Sequence, residues 1–403
     1  MKRLLGLTIL AGMLGCGAAS AQVSDGVVKL GVLNDMSGLY SDATGKGSLL
    51  GAQMAVEDFG GKVLGAPIEV ISADHQNKPD IGAAIARQWL DAEHVDAIVD
   101  VPTSSVALAV QGITREKKRI FLMSGPGSSD LTGKACSPYG IHWTYDTYAL
   151  AHGTGGALTK QGGDTWFFIT ADYAFGHALE RDTSDAVTAA GGKVLGAVRA
   201  PLNTPDFSSF LLQAQASKAK VIGLANAGGD TINSIKQAGE FGIVAGGQKL
   251  AGLLVFLTDV HSMGLKAAQG LTITSAWYWD QDEPSRAFAK RFMARNQNGL
   301  PPTYIQAGVY GEVMHYLKAI QAAGTDDADR VVAQMRKMKI NDFMTKDGWI
   351  REDGRVMRDM YLREVKSPAE SKYPFDYLKT LATIPAEQAF RPLADGGCPL
   401  VHG

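Results

Sequence analysis

The chain has few cysteines, no excess of positive charge and no long apolar run after its first residues. Cysteine occurs three times in 403 residues, at positions 16, 136 and 398, and no cluster of Cys and His has metal-site spacing. The 39 basic residues are balanced by 41 acidic ones and form no basic patch, which excludes the electrostatic footprint of a nucleic-acid binder. Beyond residue 22 no stretch approaches the roughly 20 apolar residues of a membrane-spanning helix. Catalytic signatures are missing as well. There is no GxSxG elbow and no HExxH pair, the eight histidines are scattered, and no Asp/Glu pair stands out as acid and base. Solenoid repeats and low-complexity linkers are absent, so short connections must join the parts of the chain. No cofactor and no metal are expected.

What is present begins at the N-terminus. MKRLLGLTILAGMLGCGAASAQ has a basic start at Lys2 and Arg3, an apolar core from Leu4 to about Gly15, and small residues at Ala19-Ser20-Ala21. This is the layout of a secretory signal peptide over residues 1–21, cleaved after Ala21, and it implies a periplasmic location. The alternative is a lipid anchor at Cys16, which follows Met-Leu-Gly. Cleavage leaves Cys136 and Cys398. In an oxidising compartment two cysteines suggest one disulfide, although counting alone leaves two separate thiols equally open. About 380 mature residues exceed what one hydrophobic core usually serves, so two lobes are expected.

From Val27 onward, short β-rich runs alternate with amphipathic stretches. KLGVLND, IEVISAD, VDAIVDV and RIFLMS read as strands. GSLLGAQMAVEDFG reads as a helix, because Leu49, Ala52, Val56 and Phe59 share one face. A second series of the same kind follows: TWFFITAD, FGHALERDTSDAVTAAG, KVLGAVRA, DFSSFLLQAQA, KVIGLANA and DTINSIKQAGEFG. Strand–helix alternation at this rhythm predicts an α/β fold with two doubly wound parallel sheets. Ligands of such folds sit outside the carboxyl ends of the strands. GWIREDGRVMRDMYLREVKSP reads as a hairpin followed by a tail.

Several strand-end loops are unusual. VPTSS offers Thr103, Ser104 and Ser105 at a helix start, where one side chain suffices for a cap and the remainder, with free N–H groups, suit an anion. SGPGSSD combines Gly125 and Gly127, which let a ligand approach the backbone, with Ser128 and Ser129. SGLYSDATGKGS contains a GxG, but its long loop and misplaced third glycine argue against a nucleotide fingerprint; Tyr40 or Thr44 suits a cleft wall better. In the second half, Asp172, Tyr173 and Phe175 stand at one strand end, Asn226 at another, and Leu254, Val255 and Phe256 at a third. Apolar and aromatic residues facing hydroxyl-rich loops suit a small acid with a hydrophobic body.

The order and spacing of KLGVLNDMSG, GAQMAVEDFGGKVLGAPIEV, the SSV loop after VDAIVD, GPGSSDLT and DYAFG resemble the leucine/isoleucine/valine-binding type of periplasmic protein that serves ABC importers, over nearly the whole mature chain. The resemblance implies a type I periplasmic binding protein: two lobes joined by three chain crossings, a cleft between them, closure by hinge bending, a membrane permease as partner, and no enzymatic activity. Lobe 1 is expected over 27–144 and 278–350, lobe 2 over 145–277 and 351–385, and a tail over 386–403. The resemblance assigns a ligand carboxylate to Thr103 and Ser128, with Ser104 and the backbone of Pro126 and Gly127 close by. Phe175 stands where the family has a tyrosine. The family's acidic partner for a ligand ammonium should fall near Leu254, where this chain reads LLVF. An unpaired ammonium in a closed cleft is costly. The expected ligand is therefore a small carboxylate, as in the aromatic-acid-binding branch, contacting Tyr173, Phe175, Asn226 and Phe256. A branched-chain amino acid or amide ligand, a sensor role and an exported hydrolase are the rival readings. A monomer is expected.

Overall fold

The computed structural model describes residues 23–401, so the expected signal peptide, the cleavage after Ala21 and the alternative anchor at Cys16 lie outside the described residues. The first sheet holds β1 (Val28–Asn34), β2 (Lys62–Val63), β3 (Ala66–Asp74), β4 (Ala97–Asp100), β5 (Ile120–Met123) and β6 (Gly140–His142), in the order 2-3-1-4-5-6. All neighbours are parallel except β2 and β3. The strands of β4 and β5 are wholly buried, which is why they read as continuous apolar runs and not as alternating ones. The second sheet holds β7 (Thr165–Ala171), β8 (Lys193–Ala200), β9 (Val221–Ala225) and β10 (Lys249–Gly252), in the order 10-9-7-8 and parallel throughout.

The rest of the chain completes both layers. After β11 (Thr272–Ser275), β12 (Trp349–Ile350) and β13 (Val356–Met357) form a hairpin, and β14 (Met360–Val365) and β15 (Leu378–Ile384) join β11 in an antiparallel sheet. The helix Tyr304–Ala323 lies against the first sheet, its Val309, Val313, Leu317 and Ile320 sharing one core with Val28, Leu30, Val99 and Leu122. Its start is fixed by a capping box: Thr303 Oγ1 accepts from the Gln306 N–H and Gln306 Oε1 accepts from the Thr303 N–H. Its end is Gly324, at φ 69°. Each such apolar side chain contributes roughly 1.5–3 kcal/mol on burial. Ile350 and Val356 belong to the same core. The first-sheet packing therefore runs to Val356, past the boundary expected at 350, because a paired hairpin is not divided between two lobes.

The chain passes between the layers three times: after β6, after β11, and between β13 and β14. Two buried arginines tie these crossings together. Arg355 donates to the Tyr145 carbonyl at 2.9 Å and stands 3.8 Å from Asp146. Arg358 donates to the carbonyls of Ala276 (3.4 Å) and Met344 (2.6 Å). Cys136 and Cys398 are joined in a disulfide, so of the two possibilities left open by counting, the bridge is the one realised. It holds the tail beside the first lobe, where Arg391 also donates to the Ser129 carbonyl at 3.0 Å. No helix among the described residues is long and apolar enough to cross a membrane.

Candidate ligand-binding cleft

In the first sheet the chain steps from β1 outward to β3 and then back to β4 on the other side. The loops after β1, β4 and β5 therefore splay apart at one switch point. Their anchor is Asp100, the last residue of β4. Its Oδ2 accepts from Asn34 Nδ2 at 2.6 Å, and Asn34 Oδ1 accepts in turn from the N–H groups of Asp35 and Gly45, both at 2.9 Å. Asp100 and Val101 have φ of 74° and 59°. For a β-branched valine this is a true outlier, costing about 1–3 kcal/mol, and it brings Pro102 to the cleft wall with Thr103 buried behind it. The loop 124–127 is held by its carbonyls. Thr144 bonds that of Ser124, Tyr145 that of Gly125 (2.7 Å), His142 that of Pro126 (2.6 Å) and the Thr147 N–H that of Gly127 (2.7 Å).

Between the layers lies a narrow, nearly closed cleft walled by both lobes. Tyr40, Ala43, Thr44, Pro102, Gly125, Tyr145 and Ile305 line it from the first lobe and the crossing. Tyr173, Phe175, Ala227, Leu254 and Phe256 line it from the second. No lining residue carries a charge. The two lobes touch across it: Tyr40 Oη and Tyr173 Oη are 2.6 Å apart, and Phe175 rests on Gly127, where a methyl group would stand 2.8 Å from the Phe175 ring and 3.0 Å from that of Tyr145. Gly228 has φ of 58°, and the Leu39 carbonyl oxygen lies 2.6 Å from where its Cβ would stand. Deeper in, Tyr304 packs edge-on to Tyr145 and tilts against Phe256, with ring centroids 5.4 and 5.2 Å away. Its buried hydroxyl has no hydrogen-bond partner.

Of the residues singled out from sequence, Tyr173, Phe175 and Phe256 line the cleft, as do Tyr40 and Thr44. The hydroxyl-bearing residues sit one position behind it. Thr103 is fully buried and donates to Asn77 Oδ1. It is the first residue before the helix Ser104–Lys117 but gives that helix no side-chain cap. Ser104 Oγ accepts from the Ser128 N–H at 3.2 Å and so joins the two loops, whereas Ser128 Oγ accepts from the Asp130 N–H at 3.3 Å and caps the short helical turn that follows it. Pro126 and Gly127 form the seam toward Tyr145 and Phe175. Asn226 turns into the second lobe, where it bonds Thr231 and Ser234, and its neighbour Ala227 takes the wall position. Asp172 is exposed and pairs with His177 at 2.8 Å, outside the cleft. Tyr145, Tyr304 and Ile305 were not singled out. They arrive from the crossing and from the distant helix Tyr304–Ala323, with no local motif to mark them.

Electrostatically the cleft is quiet. Burial holds the Tyr40 and Tyr173 hydroxyls well above their ordinary pKa, so their contact persists as a neutral hydrogen bond. Asp230 and Asp259 lie near the walls, raised by burial to about 6 and about 7. Their oxygens are taken by the N–H groups of Asn203 and Thr204 and by that of Phe256. No group of three or more His, Cys, Asp or Glu among the described residues is arranged to hold a metal ion.

Comparison with known proteins extends these observations. The periplasmic binding protein family model matches residues 27–372. A solved periplasmic binding protein from Burkholderia mallei is 55% identical, with 93% of this chain and 99% of that one covered and a TM-score of 0.91. A branched chain amino acid ABC transporter periplasmic ligand-binding protein from Burkholderia xenovorans LB400 is 42% identical over the same shares, with a TM-score of 0.82. A solute binding protein of an ABC transporter from Rhodopseudomonas palustris HaA2, solved in complex with p-hydroxybenzoic acid, is 27% identical, with 89% of this chain and 97% of that one covered and a TM-score of 0.80.

Proposed function

The chain belongs to the periplasmic binding protein family, whose compared members are substrate-binding proteins and not enzymes, and from that premise we propose that it captures a small aromatic carboxylate between its lobes and hands it to the permease of an ABC importer. It acts in the periplasm as a monomer. The observation that carries this reading is the wall chemistry: aromatic rings from both lobes and no charged side chain. Tyr145, Phe175 and Phe256 supply the faces against which an aromatic ring would stack. Its carboxylate meets the start of the helix Ser104–Lys117, whose first N–H groups have no side-chain cap and whose dipole favours an anion.

A free α-amino acid suits these walls less well. Its ammonium would have to be buried opposite Leu254 and Phe256, at an effective cost of at least several kcal/mol if left unpaired. The name of the Burkholderia xenovorans relative keeps branched-chain amino acids as the second reading. A thermal-shift and calorimetric comparison of benzoate, 4-hydroxybenzoate and leucine separates the two. At one hundred times its dissociation constant a ligand adds about 2.7 kcal/mol of stability. Stabilisation by the aromatic acids and silence with leucine is the expected result. The reverse would transfer the assignment to amino acids.

A further inference from the structure

Directly beneath the cleft floor lies a group of buried acids without cations. Asp100 Oδ1 has no hydrogen-bond partner, and neither oxygen of Glu312 has one. Both residues are 0% exposed. Ser48, whose buried hydroxyl is likewise unpartnered, lies against Asp100 from the helix Gly45–Phe59, one turn after the wall residue Thr44. Glu312 reaches the same place from the helix Tyr304–Ala323, two turns after the wall residue Ile305. Gly125 and Pro102 separate Asp100 from the cleft: a methyl group on Gly125 would lie 2.5 Å from Asp100 Oδ1 and 2.9 Å from Pro102.

The surroundings of Asp100 are neutral or acidic on every side. β1 presents Asn34, the helix Gly45–Phe59 Ser48, the β5 loop the Gly125 N–H, the crossing Tyr145, and the helix Tyr304–Ala323 Glu312. The nearby Asp35 is occupied by the Gly38 and Tyr40 N–H groups and by Asn77. Neither Asp100 nor Glu312 forms a salt bridge with Lys, Arg or His among the described residues. Two facing carboxyls in such a site do not both ionise. Burial raises Asp100 to about 6 and moves Glu312 well above the carboxylate range, with the charge of Asp100 adding to it. Glu312 thus keeps its proton at neutral pH, and Asp100 is the member that titrates.

We propose that Asp100 is a positioning residue that takes up one proton when a carboxylate ligand seats on the loops it anchors, so that the protein captures an anion together with a proton. This inference rests on the carboxylate reading above. A ligand carboxylate lodged on the loops after β4 and β5 stands one peptide away from Asp100, in a site that excludes water. Its charge opposes ionisation of Asp100, and by linkage the ionised Asp100 opposes the ligand. Binding is then strongest below about pH 6, and weakens above that value by as much as about tenfold per pH unit for one linked proton.

The test is titration calorimetry of the whole protein with benzoate, whose own carboxylate stays ionised from pH 6 to 8. Measurements in two buffers of different ionisation enthalpy read the protons taken up. The wild type is expected to take up close to one proton per benzoate above pH 6 and to lose affinity as the pH rises. Asp100→Asn should bind with a flat pH profile and no uptake, and Glu312→Gln should keep the wild-type profile. Proton uptake by the wild type needs no variant, so a folding defect in Asp100→Asn does not decide the matter. Benzoate binding with no uptake by the wild type, or with uptake preserved in Asp100→Asn, overturns the inference and leaves the carboxylate reading standing. Failure of every aromatic acid to bind at any pH overturns both.

Discussion

Gly127 offers a direct test of whether the cleft closes as described. Its φ does not require glycine, so Gly127→Ala places a methyl group on an otherwise compatible backbone. That methyl would stand 2.8 and 3.1 Å from two atoms of the Phe175 ring and 3.0 Å from Tyr145, well inside ordinary carbon contact. Phe175 begins a helix of the second lobe, whereas Gly127 and Tyr145 stand on the first-lobe side, so the Phe175 part of the clash exists only when the lobes meet. Overpacking of this size costs about 1–3 kcal/mol. Charged against closure alone, it lowers the closed population, and with it ligand affinity, roughly five- to hundredfold. Small-angle scattering of the protein with saturating 4-hydroxybenzoate reads the compaction, and calorimetry reads the affinity. The unfolding midpoint without ligand should fall by less than the affinity does, because the open form relieves the Phe175 contact and leaves only that with Tyr145. Unchanged affinity and compaction would refute the proposed seam between Gly127 and Phe175.

Other expectations follow from the same contacts. Tyr40→Phe leaves the buried Tyr173 hydroxyl without its partner and should weaken closure by about 1–3 kcal/mol, whereas the double variant with Tyr173→Phe should regain part of that loss; calorimetry on all four proteins reads the coupling, and strictly additive effects would show that the two hydroxyls do not bind each other. Cys398→Ser opens a loop with a sequence separation of 262 residues and should cost about 2–5 kcal/mol in urea unfolding, with the wild type falling to the same stability once its bridge is reduced. Leu254→Asp puts a carboxylate into the cleft wall and should lower 4-hydroxybenzoate affinity at pH 7 more than tenfold, about 1.4 kcal/mol or more; an unaltered dissociation constant would mean that the ligand lies elsewhere.

Much of this architecture is legible in the residue pattern, because parallel strands covered on both faces must be apolar along their length and must alternate with helices. That pattern places VPTSS, SGPGSSD, DYAFG and LLVF at strand ends, hence around the cleft. It does not tell which side chain at each strand end faces inward. The hydroxyls of Thr103 and Ser104 are spent on joining loops and that of Ser128 on capping its own turn, and the walls come from Pro102 and Gly125 nearby. Asn226 is turned inward by Thr231 and Ser234 on its own helix, a choice settled by hydrogen bonding and not by hydropathy. The left-handed backbone at Asp100 and Val101 leaves no trace in the sequence at all, since neither residue prefers it. Tertiary contacts impose it. Tyr145 and Tyr304 are silent for a different reason: they meet each other across a sequence separation of more than a hundred residues.

That separation bears on when the molecule can assemble. The first sheet is complete by His142, yet the helix that covers Val28, Leu30 and Val99 begins at Tyr304, and the bridge to Cys136 waits for Cys398. A ribosome builds the chain from the other end. For the whole interval between these points that face of the sheet is covered only by the early helix Gly45–Phe59, and contacts of such long sequence separation form slowly even in the finished chain. The core of the first sheet therefore closes only when synthesis is nearly over, and until then its exposed apolar surface needs protection from aggregation.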